Sequence, residues 1–237
     1  IDVDRLNNIN AVPDVMMATL HTHQLVSIGQ VVAGTRIIPL TIKEEKLQAA
    51  EAHCGPADSV AAVKPLRPHR VGLITTGSEV YHQRIEDRFG PVVREKITVL
   101  GSRMLRQIYV PDDIPMTVAA IEALIAEGAQ IVLITGGMSV DPDDRTPASI
   151  RATGAEVITY GAPVLPGAMF MLAYLRDLPI IGLPGCVMYH QTSIFDLLLP
   201  RILAGERLTR EDIIVLGHGG MCRGCEDCRY PSCGFGK

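Results

Sequence analysis

From residue 71 onward, short unbroken apolar runs alternate with segments whose apolar residues recur every third or fourth position. "VGLITT" (71–76), "IVLIT" (131–135) and "PIIGL" (179–183) each end at glycine or Pro-Gly and are too short for buried helices. They predict buried strands. Residues 103–113 predict a further strand running into an acidic turn. Residues 114–128 place Val118, Ile121, Leu124 and Ile125 at helical spacing. Helices are also predicted over 90–101, with Pro91 near the start, over 144–154, with Thr146 as cap and Pro147 in the first turn, and over 190–205. Strands alternating with helices predict an α/β domain whose mostly parallel sheet is covered on both faces.

Residues 1–65 have a different rhythm. "DVMMATLHTH" and "QVVAGTRIIPLTI" read as strands, residues 43–53 as a short helix, and the proline-bearing stretch 63–70 as a linker. The expected organisation is therefore a small β-rich segment (1–65), an α/β domain (66–215) and a cysteine-rich tail (216–237). The uncharged stretch 157–175 has transmembrane length, but Gly161, Pro163, Pro166 and Gly167 would break a lipid-exposed helix. Two buried strands joined by a loop fit it better. Residues 178–195 are broken in the same way by Pro179, Pro184 and Gly185. The polar, acidic N-terminus does not read as a signal peptide, so a cytoplasmic location is expected, and Ile1 suggests an excised piece of a longer chain.

The net charge of −4, with no basic run and no tryptophan, argues against a nucleic-acid or membrane-surface role. Neither a P-loop nor a GxGxxG motif is present. Candidate chemistry falls in three turns at the carboxyl ends of predicted strands, where ligands sit in such sheets. "TTGSEV" combines a sharp bend at Gly77 with Glu79, a carboxylate that a phosphate alone would not require. "ITGGMSVDPDDRTP" joins Gly136, Gly137 and Ser139 to Asp141, Asp143 and Asp144. "GLPGCVMYHQT" places Pro184 and Gly185 before a helix. Such residues are turn formers first; three such turns in register are more informative than one. Cys186 in the third turn reads as a small buried hydrophobe. His21 and His23, two apart on an expected strand, read as surface residues, and His190 and His218 are uncommitted.

"TTGSEVY", "VPDD", "ITGGMSVDPDD", "VLPGAMF" and "IIGLPGCVMYHQTSIFDLLLPRILAG", in this order, resemble the molybdopterin-binding domain of molybdenum-cofactor biosynthesis proteins, including the molybdopterin molybdenumtransferases and gephyrin-like proteins. The resemblance spans about residues 67–206. It implies a three-layer α/β/α fold that binds molybdopterin or its adenylylated or metallated form. It places ligand contacts on Thr76, Gly77, Ser78, Gly136, Gly137, Ser139, Pro184 and Gly185. Catalytic carboxylates are placed at Glu79, at Asp112 or Asp113, and at Asp144. Those carboxylates would bond pterin N–H groups or a divalent cation such as Mg²⁺. It also implies a homo-oligomer, partnered by a molybdoenzyme or another cofactor-biosynthesis protein. Two departures stand out: "VLPGAM" puts Leu165 and Ala168 where the insertion enzymes carry lysines, and Cys186 stands where the family has asparagine. The resemblance leaves two readings, a transferase-like enzyme and a non-catalytic carrier. An anionic substrate wants positive charge, so the missing lysines favour binding or regulation over metal insertion.

The tail spaces Cys222, Cys225, Cys228 and Cys233 as C-x2-C-x2-C-x4-C. Zinc sites more often use two separated CxxC pairs, whereas the continuous run approaches a ferredoxin-type iron–sulfur pattern. Either an iron–sulfur cluster or zinc is expected. Two alternatives remain: a metal-dependent pyrophosphatase acting on a nucleotide derivative, as in competence-damage-type proteins, with Asp112, Asp113 and Asp144 holding the metal; and a redox or metal-sensing module defined by the tail.

Overall fold

The computed structural model describes residues 1–55, 59–139 and 144–237, and the chain divides into two compact units, Ile1–Pro65 and Leu66–Lys237. In the first unit, α1 (Val3–Asn10) begins where the Asp2 side chain accepts from the Arg5 amide at 3.0 Å. An antiparallel pair follows, β1 (Val15–Thr19) and β2 (Ala33–Ile37), in the register Val15↔Ile37, and then α2 (Glu44–Cys54). Asn10 pins β1 through both amide groups, donating to the Met17 carbonyl at 2.9 Å and accepting from its amide at 2.7 Å. Ile9, Ala50 and Val60 form the buried centre. The polar N-terminal segment is thus a capped helix. His21 and His23 lie beyond the end of β1, exposed, with His23 at positive φ, which corrects the expectation that both sit on a strand.

The second unit runs β3 (Arg70–Thr76), α3 (Ser78–Tyr81), α4 (Phe89–Val99), β4 (Arg103–Val110), α5 (Ile114–Ala126), β5 (Ile131–Thr135) and α6 (Thr146–Ala152). It continues through β6 (Glu156–Tyr160), β7 (Met171–Leu175), β8 (Leu178–Leu183), α7 (Cys186–Tyr189), α8 (Ile194–Leu203) and α9 (Arg210–Ile214). The sheet order is β4-β3-β5-β8-β7-β6. Four strands are parallel, and β7 pairs antiparallel with both β8 and β6. The stretch 157–175 is therefore a hairpin within the sheet. Among the described residues no helix is long and apolar enough to cross a membrane.

Every residue of β5 is buried, as a central strand covered on both faces requires. Val71, Leu73, Ile131 and Leu133 pack with Val93 and Ile97 of α4 and Phe195 and Leu198 of α8. Ile74, Val132 and Ile134 pack on the other face with Ile121 and Leu124 of α5 and Ile150 of α6. Three layers result. At Gly72 a side chain of α5 fills the space over the strand: a β-carbon there would lie 2.8 Å from a methyl of Leu124.

Polar pairs clamp the ends of α8. Ser193 and Asp196 form a capping box at its start, and Lys96 of α4 donates to the Asp196 carboxylate at 2.5 Å and to the Gln191 carbonyl at 2.7 Å. Near its other end, Arg201 bonds Glu206 at 2.8 Å and Asp212 at 2.5 Å. Burial would raise the Asp212 carboxyl, but its bonds to Arg201 and to the Thr209 amide and hydroxyl outweigh burial and hold the pKa at about 2, below the ordinary 3.8. A lowered folded-state pKa gives stability that is fully present above about pH 4 and is lost as pH falls toward 2. Asp212→Asn should therefore lower the urea midpoint at neutral pH, with the gap from the parent closing near pH 2. A gap constant with pH would contradict this.

Candidate functional site

Because β3, β4, β5 and β8 are parallel, the turns that follow them share one end of the sheet. The antiparallel hairpin brings a fifth segment there. The register Tyr160↔Met171 and Met171↔Gly182 places the loop of residues 161–170 beside the end of β8.

The first turn is tied to its neighbours on both sides. Gly77 sits at φ 137, a conformation open to glycine, and its amide donates to the Val110 carbonyl at 3.1 Å. The Ser78 amide donates to Asp112 Oδ2 at 3.1 Å, which fixes the acidic turn after β4 against the turn after β3. Thr76 is buried, and its hydroxyl lies 3.3 Å from the Thr135 carbonyl oxygen and 3.3 Å from Thr146 Oγ1. Thr146 in turn donates to the Gly136 carbonyl at 2.8 Å. Glu79 is exposed on α3. Asp113 is the N-cap of α5, its Oδ1 accepting from the Met116 amide at 2.8 Å. The two adjacent aspartates are thereby distinguished: Asp112 bridges the turns after β3 and β4, and Asp113 starts a helix.

Gly136 and Gly137 both have positive φ, at 86° and 54°. The Ser139 amide donates to Asp144 Oδ2 at 2.6 Å. Asp141 and Asp143 lie outside the described residues. Met138 is buried and lies over Gly182, where an added β-carbon would come within 2.7 Å of its sulfur. Tyr160 at the end of β6 donates to the Ser139 carbonyl at 3.5 Å, so the diglycine loop reaches past β8 and β7. Pro184 is buried, and Gly185 is exposed in right-handed backbone with no atom within 4 Å of an added β-carbon. Gly185 is thus open space rather than a steric necessity. Cys186 is half-buried; burial, the largest influence, pushes its thiol pKa up, which suits a packing residue better than a nucleophile.

Three further side chains reach this end of the sheet: Thr146, Met138 and Tyr160. Thr146 was visible only as a helix cap, but it is the first helical residue, Arg145 occupies the cap position, and the Thr146 hydroxyl faces the diglycine loop. A separate cleft of about 620 Å³ opens on the α4–β4 flank, lined in part by Asp87, Arg94, Gln107 and Tyr109. There Gln107 donates to Thr75 Oγ1 at 2.9 Å and to Asp87 at 2.5 Å.

The tail is built against the same end of the sheet. The Leu165 amide donates to the Gly220 carbonyl, the Cys222 amide donates to the Leu165 carbonyl, both at 2.8 Å, and Leu165 and Met221 form a parallel bridge. Tyr230 donates to the Asp196 carbonyl at 2.9 Å, and Phe235 is buried in the α4–α8 core. Cys225 and Cys228 are exposed, Cys222 and Cys233 half-buried. Among the described residues no group of three or more His, Cys, Asp or Glu side chains is gathered to hold a metal ion.

A family description, "Probable molybdopterin binding domain", matches residues 72–204, more than half of the chain. The chain belongs to this molybdopterin-binding domain family. The family segment runs from β3 to the end of α8 and contains all four turns that follow the parallel strands. A bifunctional molybdenum cofactor biosynthesis protein of Synechococcus elongatus is 36% identical over 83 residues, covering 35% of this chain and 26% of that protein. A CinA-like protein of a Mycobacterium species (strain JLS) is 36% identical over 91 residues, covering 38% and 21%. The chain thus matches about a quarter of the length of these relatives. A solved structure of a tungsten-cofactor-synthesising protein of Pyrococcus furiosus is similar over 60% of this chain and 98% of its own, at 20% identity and a TM-score of 0.49.

Proposed function

We propose that this chain binds molybdopterin, in its free, adenylylated or metallated form, at the carboxyl ends of β3, β4, β5 and β8, and serves in molybdenum-cofactor biosynthesis or handling. The observation that carries this reading is the pair of carboxylates held by turn amides, Asp112 by Ser78 and Asp144 by Ser139, within the family segment. Each is oriented by a backbone N–H on one oxygen, which leaves its other oxygen as the group proposed to meet a pterin N–H or a divalent cation such as Mg²⁺. The same bonds occupy the Ser78 and Ser139 amides, and the Gly77 amide is spent on Val110, so the ligand phosphate is assigned to backbone N–H groups of the diglycine and Pro184–Gly185 turns. Thr76, Gly77, Gly136, Gly137, Pro184 and Gly185 shape the seat, and Glu79 lies on its rim.

Leu165 is 53% exposed at this end of the sheet, at a place where a cation would serve an oxyanion. Binding or carriage is therefore favoured over metal insertion. A cytoplasmic location, self-association, and a molybdoenzyme or cofactor-biosynthesis protein as partner belong to the same proposal. An iron–sulfur cluster or zinc at Cys222, Cys225, Cys228 and Cys233 is proposed from the spacing of the cysteines.

The test is titration with molybdopterin released from a molybdoenzyme. Asp112→Asn and Asp144→Asn are expected to weaken binding about 10- to 100-fold with little change in melting temperature, the loss of one charge-assisted contact each. Asp113→Ala should do the reverse, costing about 1 kcal/mol of stability through its cap with binding retained. Equal binding by all three variants would sink the assignment. The CinA-like relatives support a second reading, a metal-dependent pyrophosphatase at Asp112 and Asp144. Mg²⁺-dependent cleavage of ADP-ribose by the same preparation would favour it.

A further inference from the structure

The tail is fastened at two places with the cysteines between and beside them. One fastening is the ladder of Gly220, Met221 and Cys222 on Leu165. The other is Tyr230 on the Asp196 carbonyl, with Phe235 in the core and the Gly236 amide donating to the Gly219 carbonyl at 2.9 Å. Cys222 and Cys233 sit at these anchors, half-buried, while Cys225 and Cys228 are exposed on the span between. That span touches the ligand end a third time: Cys228 Sγ lies 3.2 Å from the hydroxyl of Thr192, in the segment joining α7 to α8. Two ligand-side loops, residues 161–170 and 190–193, therefore contact a four-thiol segment whose sulfurs are not gathered. Gly224 at positive φ, with no atom within 4 Å of an added β-carbon, lies in that span.

We propose that the tail is a metal-closed strap. A thiophilic divalent cation of the zinc class would draw Cys225 and Cys228 in to the anchored Cys222 and Cys233, the bound thiols releasing their protons to solvent. Closing the span lifts Cys228 from Thr192 and stiffens the ladder on Leu165. Metal occupancy thus orders the loop of residues 161–170, one wall of the proposed pterin seat. The location of that seat rests on the function proposed above; the strap itself does not.

The experiment uses the full chain, reduced and oxygen-free, with Co²⁺ as a spectroscopic probe displaced by Zn²⁺, followed by hydrogen exchange with and without Zn²⁺. The expected result is one cobalt per chain with a thiolate charge-transfer band, and at least about tenfold slower exchange at residues 161–170 on zinc binding. The double variant C225S/C228S, altered only at exposed positions, should fold, lose the band and lose the protection. No thiolate-bound cobalt in the parent, or zinc binding with unchanged exchange at 161–170, would overturn the strap. A molybdopterin titration of the zinc-loaded and chelator-stripped protein then separates the two ideas. A protected loop with no pterin binding in either state removes the pterin reading and leaves the strap standing. Binding that differs at least about fivefold between the two states supports both, as linkage requires.

Discussion

Replacing Gly136 by alanine is expected to destabilise the second unit by about 3–5 kcal/mol and to abolish ligand binding in whatever fraction stays folded. Two costs coincide at this residue. Its φ of 86° disfavours any side chain, and a β-carbon would run into the Thr76 carbonyl oxygen and lie 2.7 Å from the Thr76 hydroxyl. Neither obstacle is the far end of a flexible side chain. Thr76 is the last residue of β3, bonded on toward Thr135 and Thr146, so relieving the clash means parting two adjacent central strands at the site. Urea unfolding of the purified variant measures the first effect. A loss under 1 kcal/mol would show that the diglycine loop relaxes freely and that its approach to Thr76 is incidental.

The second large effect is expected far from the glycine turns. Phe235→Ala should cost about 3–5 kcal/mol, the loss of a fully packed aromatic ring from a closed core. Phe235 is 5% exposed and belongs to the cluster that includes Phe195, Leu198 and Leu199 of α8. Thermal unfolding of this variant beside the parent chain, both treated with a chelator, is the measurement. Parity between the two would mean that the tail hangs on the unit without contributing to its core.

The α/β domain was legible because its strands are buried on both faces and therefore read as uninterrupted apolar runs between glycine-bearing turns. The turns themselves were legible for the same reason. What the sequence concealed is direction and distance. Nothing in "VITY" or "MLAYL" distinguishes a parallel crossover from an antiparallel hairpin, because both bury the same residues; the register Tyr160↔Met171 decides it. α3 and α7 span four residues each, too short to develop a period. Thr146 and Tyr160 reach the site by tertiary contact alone, across separations of 10 and 21 residues. The tail's sequence signal lies in its cysteines, whereas its attachment depends on Tyr230 and Phe235, two aromatics with no pattern around them. Asp112 and Asp113 were inseparable in sequence, and only the Met116 and Ser78 amides tell them apart.

The order of the sheet leaves β4 and β6 on its borders, each with a row of backbone groups that no strand among the described residues covers. Such a border can template growth by a foreign strand. On β4, Arg103 and Arg106 are exposed at intervals along eight residues; β6 is only five residues long, with Glu156 exposed at one end and Tyr160 at the other. A strand docking in register against β4 would have to accommodate two guanidinium groups, one of them already paired with Glu127. The shortness of β6 and the guanidinium groups on β4 oppose indefinite extension of this sheet by foreign strands.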